Sequence, residues 1–167
     1  ELVGKLYDVL LTQYKLNEKL SEDYILQNIN KLCVRLVFCL YAEDAGLFGS
    51  RSLFHDYLQE YKPQQFRKAL LELFRILDTP ISDRDPFEEE NLLAFPYVNG
   101  NLFSESIEIP PFSEEAVQML LNEACSFDWS AISPTIFGGI FESTLNPDTR
   151  RHGGMHYTRI EHIHKVI

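Results

Sequence analysis

The feature that most constrains this fold is a stretch of about two dozen residues opened by Ser21-Glu22-Asp23 and closed by Gly46. Ser21 offers a hydroxyl to free helix amides, and two acids follow where the helix dipole is positive. Ile25, Ile29, Leu32, Leu36 and Leu40 recur at helical spacing, while Val34, Phe38 and Tyr41 add a second stripe. The C-terminal half is therefore apolar almost all round, and such a helix needs neighbours on several sides. Run to Ala45, it would measure about 36 Å at ~1.5 Å per residue. It predicts the central helix of a bundle.

The neighbours are legible by the same spacing. Leu2, Leu6, Val9 and Leu10 make residues 2 to about 16 amphipathic. Ser50 is placed to cap a helix that turns Phe54, Tyr57, Leu58 and Tyr61 inward. Pro63 suits the first position of another, striped by Phe66, Leu70, Leu73 and Leu77. Four helices with short connections imply an antiparallel bundle or helical array.

The character changes at Asp78. Residues 78–91 carry two prolines and six acids, as an exposed connection would. Leu92 to Val98 and Asn101 to Phe103 read as short extended segments across an Asn99-Gly100 turn, a hairpin signal weakened by Pro96. Ile107 to Phe112 is extended around Pro110-Pro111. Ser113-Glu-Glu then starts a helix with Val117, Leu120, Leu121 and Ala124 on one face. Ser133-Pro134 opens the next, with Ile136, Phe137, Ile140, Phe141 and Leu145 apolar, and Asn146-Pro147 closes it.

A hydrophobic share of 45% with 12 Phe and 8 Tyr in 167 residues supports a real core and excludes wholesale disorder. The net charge of −10 argues against a surface that grips nucleic acid unaided, although Arg150, Arg151, Arg159 and Lys165 gather at the end. Cys33, Cys39 and Cys125 lack metal-ligand spacing and read as small buried hydrophobes in a reducing compartment. No uninterrupted apolar run approaches the roughly 20 residues of a membrane span. Glu1 begins within helical periodicity and Ile167 falls inside another helical pattern, so the chain is expected to be a piece of a longer protein.

Several constellations hold chemistry in principle. Gly138-Gly139 inside a predicted helix costs about 1 kcal/mol per glycine, which fits a kinked, tightly packed helix or the close approach of another backbone. Gly153-Gly154 precedes Met155-His-Tyr-Thr158 and a new helix start, where a hydroxyl and free amides suit a carboxylate or phosphate. Glu60-Tyr61-Lys62 has a nuclease-like spelling but ends an amphipathic helix. His152, His156, His162 and His164 crowd together without the Cys or carboxylate support zinc would want. Glu43-Asp44 sits at the unfavourable end of the central helix, as exposed acids or as a buried pairing with Arg35 or Arg51. Arg150 and Arg151 are surface residues or phosphate contacts.

Three segments taken together resemble the MmeI-like family: Arg35-Leu-Val-Phe-Cys-Leu-Tyr-Ala-Glu-Asp-Ala-Gly-Leu-Phe48, Phe127-Asp-Trp-Ser-Ala-Ile-Ser-Pro-Thr-Ile-Phe-Gly138 and Arg150-Arg-His-Gly-Gly-Met-His-Tyr-Thr158. These are bacterial single-chain restriction-modification enzymes of types IIG and IIL, with related adenine-specific DNA methyltransferases. The resemblance implies a mainly α chain. It would hold a helical spacer over 1–78, an acidic, Pro-containing connection with an extended or hairpin insertion over 79–112, and the truncated helical start of an α/β methyltransferase domain over 113–167.

It also implies S-adenosylmethionine as the parent's cofactor, with His156, Tyr157 and Thr158 as cofactor-binding candidates; the chain departs from the family pattern immediately after them, at Arg159-Ile-Glu-His-Ile163. The parent would be a cytoplasmic bacterial DNA (adenine-N6) methyltransferase, with or without endonuclease activity. Its partners would be DNA and the neighbouring nuclease and methyltransferase domains, with no membrane and no metal in this part. The Gly-rich cofactor turn and the Asn-Pro-Pro-aromatic motif are absent from these residues. A base pocket therefore cannot be built here, and the piece alone is expected to carry no catalytic residue and to serve as spacer. The alternative is a non-catalytic helical protein-interaction module.

Overall fold

The computed structural model describes residues 2–50 and 52–131. Helix α1 (Leu2–Lys15) buries Val3, Leu6, Tyr7, Leu10 and Tyr14 along one stripe. Helix α2 (Glu22–Asp44) starts where expected, the Ser21 hydroxyl accepting from the Tyr24 amide at 3.2 Å. Its end is a Schellman motif: Leu47 N–H donates to the Ala42 carbonyl at 2.8 Å and Gly46 N–H to Glu43 at 3.3 Å, with Gly46 at φ +81°.

From Leu32 to Glu43, α2 is buried almost all round. By length and composition it could cross a membrane, although Asn28, Arg35 and Glu43 keep its apolar run interrupted as the sequence implied. Two-thirds (67%) of its most apolar window is covered by the rest of the fold, as in a core helix.

Helix α3 (Leu53–Gln59) turns Phe54, Tyr57 and Leu58 inward. Its N-cap is Ser52 rather than the expected Ser50, and the Ser52 side chain makes no capping bond. A 3-10 turn at Pro63–Gln65 leads into α4 (Phe66–Leu77), which buries Phe66, Leu70, Leu73 and Leu77 as predicted.

The connection after Asp78 holds a 3-10 turn at Ile81–Asp83 and a short helix α5 (Glu90–Leu93), then runs without regular structure to Ser113. Among the described residues there is no strand, so the hairpin does not form, and Asn101 to Phe103, expected to be extended, lie in a bend and turn. Leu92 and Leu93 are helical. Gly100 does take positive φ, at 115°, but the flanking segments are drawn to other partners: Val98 N–H donates to the Leu77 carbonyl at 2.8 Å, and Arg35 takes the carbonyls of Leu102 and Glu105. Phe95, Phe103, Ile109 and Phe112 enter the same core as the helices.

Helix α6 (Glu114–Gln118) is capped by Ser113, whose hydroxyl accepts from the Ala116 amide at 3.2 Å. It continues as a π-helical segment, Met119–Ala124, and a 3-10 turn follows at Trp129–Ala131. Thus α1 packs on α2, α6 and the π segment lie on α1, and the Trp129 turn returns to α2.

Candidate functional site

Two polar clusters are buried in this apolar frame, and both centre on α2. The first pins the connection. Arg35, 2% exposed, donates from Nε to the Leu102 carbonyl at 3.0 Å and from Nη2 to that of Glu105 at 2.7 Å, with its guanidinium 5.2 Å from the Phe74 ring centroid and 5.6 Å from that of Phe103. Burial pulls its pKa below the ordinary value, opposed by Glu105 and Asp78. About two turns earlier, Asn28 donates to the Tyr24 carbonyl and accepts from the Glu108 amide at 2.7 Å. Tyr14 donates its hydroxyl proton to the Glu108 carbonyl, and Arg67 donates to that of Ile109 at 2.7 Å.

The second cluster lies where α2 ends. The acids there are neither exposed nor paired with Arg35, and Arg51 lies outside the described residues. Glu43, 3% exposed, accepts from the His55 amide at 3.1 Å and from the Phe54 amide. It therefore does the capping that Ser52 leaves undone, satisfying orphan donors in the first turn of α3 from another helix. Burial raises its pKa from the ordinary 4.5 to about 7; the two backbone hydrogen bonds oppose this, and Asp44 and Asp56 add to it.

Asp44 reaches the other way, its Oδ2 accepting from the Trp129 amide at 2.8 Å. Trp129 is 3% exposed, and its indole N–H donates to the carbonyl of Ala124, the last π-helical residue, at 2.8 Å. Phe127 stands edge-on to it with ring centroids 5.0 Å apart. Two adjacent carboxylates thus tie the end of the central helix to α3 and to the turn leading into the C-terminal segment. An acidic pair at a helix C-terminus was the available signal, because the dipole makes it costly without donors elsewhere; the identity of those donors was not.

Among the described residues no group of three or more His, Cys, Asp or Glu is placed to hold a metal. Cys33 and Cys39 are buried in α2 and Cys125 is half-buried, its pKa pushed up to about 12 by burial. Glu60, in the nuclease-like spelling, is the C-cap of α3 and accepts from Asn91. Open clefts of about 300 and 390 Å³, beside the α1–α2 loop and between α3, α4 and α5, bring no catalytic combination together. His156, Tyr157 and Thr158 lie outside the described residues, as do both Gly-Gly pairs, Arg150, Arg151 and the Ser133-Pro134 helix start. What the described geometry can do is hold segments in fixed relation.

A helical array with a buried polar spine and no reactive cluster among its described residues has the character of a spacer domain. Residues 27–103 match the family model described as "MmeI, helicase spacer domain". The matched stretch ends at Phe103, whose ring packs against Phe38 and Phe74. The whole chain is 31% identical over 169 residues to DNA methyltransferase A of Bacillus subtilis (strain 168), covering 100% of this chain and 18% of that protein. It is also similar to the solved structure of the type IIL restriction-modification enzyme MmeI in complex with DNA: TM-score 0.71, 37% identity, 90% of this chain and 19% of that one. These matches bear out the MmeI-like resemblance read from the motifs and the mainly α fold. The chain spans under a fifth of either relative.

Proposed function

We propose that this chain is the spacer and methyltransferase lead-in of a longer bacterial DNA methyltransferase of a restriction-modification system. The parent is S-adenosylmethionine-dependent and adenine-specific, acts on DNA in the cytoplasm, and carries a neighbouring methyltransferase domain and, in some relatives, a nuclease. The observation that carries this reading is similarity along the whole of this chain, at 31% identity, to part of a DNA methyltransferase, together with 37% identity to part of an enzyme solved on DNA. Residues 1–78 are the spacer, 79–112 the connection, and 113–167 the helical start of the methyltransferase domain. His156, Tyr157 and Thr158 line one wall of the cofactor pocket, whose other walls lie in the following sequence. Alone, the chain sets distance and orientation and methylates nothing.

Calorimetry with S-adenosylmethionine tests this. A polypeptide extended through a Gly-rich cofactor motif should bind, Tyr157→Ala with Thr158→Ala should weaken that binding at least tenfold, and residues 1–167 alone should bind negligibly. Equal, strong binding by the 167-residue chain would overturn the account.

One observation favours a second reading, a protein-interaction module: Phe87 is 92% exposed on the acidic connection, with Ile81 63% exposed nearby in sequence. Retention of a defined partner by the 167-residue chain, lost in Phe87→Ser, would support that reading.

A further inference from the structure

We infer that Asp44 is a positioning residue: its bond to the Trp129 main chain is the joint that fixes how the segment beyond the spacer leaves the helical array. The inference rests on the spacer reading above and deepens it.

Three elements meet at this point. The Schellman turn terminates α2 immediately after Asp44, the π-helical segment ends at Ala124, and the Trp129–Ala131 turn begins the run toward the C-terminus. Trp129 is gripped from both sides, its amide by Asp44 at 2.8 Å and its indole N–H by the Ala124 carbonyl at 2.8 Å. A π-helix leaves its closing carbonyls in positions a regular helix would not, and the indole satisfies one of them. The indole bond is buried and the Asp44 bond partly so, which limits how well water competes for them. Glu43, the preceding residue, holds the first turn of α3 through the His55 amide. The exit direction of the chain is therefore referenced to two helices through two neighbouring carboxylates, rather than to one flexible loop.

Amide hydrogen exchange on the 167-residue chain tests the joint without any cofactor. In the wild type the Trp129 amide should be protected. In Asp44→Ala, which removes a charged acceptor, its exchange should accelerate about 10- to 100-fold while amides of the α2 core such as Leu36 keep their rates. In Asp44→Asn the remaining side-chain oxygen can accept, so most of the protection should return. Emission of Trp129, the single tryptophan of the chain, should shift to the red in Asp44→Ala and not in Asp44→Asn. An unprotected Trp129 amide in the wild type overturns the joint, a result that needs no variant to fold. Equal acceleration at Trp129 and Leu36 also overturns it, because Asp44 would then serve the whole fold.

In a longer polypeptide that binds S-adenosylmethionine, Asp44→Ala should lower cofactor affinity at least several-fold with unchanged helical content. Unchanged affinity alongside a loosened Trp129 amide overturns the positioning role. Absence of cofactor binding by the wild-type longer polypeptide overturns the function reading while leaving the exchange result intact.

Discussion

The helices over residues 2–77 and the connection over 78–113 contribute to one apolar core but satisfy their backbones in opposite ways. A helix closes its own hydrogen bonds, so only its ends need help. Even there help is supplied in full at the close of α4. The carbonyls of Phe74, Arg75, Ile76 and Leu77 receive the Asp78 amide, the Thr79 hydroxyl, the Thr79 amide with the Arg84 guanidinium, and the Val98 amide respectively. The connection has no ladder, and its buried carbonyls and amides are met by side chains from the helices: Arg35, Asn28, Tyr14 and Arg67 on residues 102–109. A segment without repeating structure can thus be as ordered as a helix when each buried polar group has a named partner. The difference is that its order is borrowed, and loss of a single lender should release it.

Arg35→Ala is the most direct way to break this contrast. It removes two hydrogen bonds to carbonyls and the contact with the Phe74 and Phe103 rings, and leaves both carbonyls buried without a donor. The expected loss is about 3–4 kcal/mol, summing roughly 1.5 kcal/mol for each bond with the stacking contribution. Exchange of amides over 102–109 should rise more than that of α1 and α2. Chemical denaturation followed by site-resolved exchange reads both. Uniform loosening, as a large-to-small change such as Leu36→Ala should give, would mean that the connection is not separately held.

That asymmetry also explains what could be read in advance. Apolar spacing in α1, α2 and α4 is local, and Ser21, Gly46, Pro63 and Ser113 mark boundaries with chemistry that acts within four residues. The Asn99-Gly100 signal was equally local, yet only Gly100 takes positive φ and the pairing expected around it does not form. Arg35 lies 67 residues from Leu102, and a periodicity in sequence carries no trace of such a bond. The same holds for Glu43: its charge at the end of α2 was visible, while the His55 and Phe54 amides that receive it are set by how α3 folds back. The cofactor candidates His156, Tyr157 and Thr158 rest on motif resemblance, because so short a run has no spacing signature of its own.

Glu43→Gln sharpens the contrast at the boundary between the two regimes, separating the acceptor from its charge. Glu43 has its pKa raised from 4.5 to about 7, so the folded chain binds more protons than the unfolded one between those values. Stability from this group is therefore full below about pH 4.5 and declines as pH rises through 7, where the buried carboxylate must ionise. Gln keeps an oxygen for the His55 and Phe54 amides and cannot ionise. Relative to wild type it should gain about 1–2 kcal/mol on going from pH 5 to pH 8, discounted for solvent screening. Melting temperatures of the two proteins across that range give the difference directly. Parallel pH profiles would show that folding does not raise the Glu43 pKa and would sink the expectation.

The smallest effect should come from a bond network that links helix to connection at the acidic surface. Arg75 of α4 donates to Glu72 at 3.1 Å and reaches across to Glu88 at 2.9 Å, and these partners hold its pKa above the ordinary value. The Arg75 side chain is 46% exposed, however, and an exposed ion pair is screened by salt and offset by side-chain ordering. Arg75→Ala should cost under about 1 kcal/mol, less again at 0.5 M salt, and should leave exchange over 102–109 unchanged. Its partner Glu88 is much less exposed, at 17%, which sets the direction in which the expectation could fail. A loss rivalling that of Arg35→Ala and insensitive to salt would place the hold on the connection at its acidic rim. The order of the two losses, with exchange over 102–109 as the local readout, decides between burial and surface charge as the source of the connection's order.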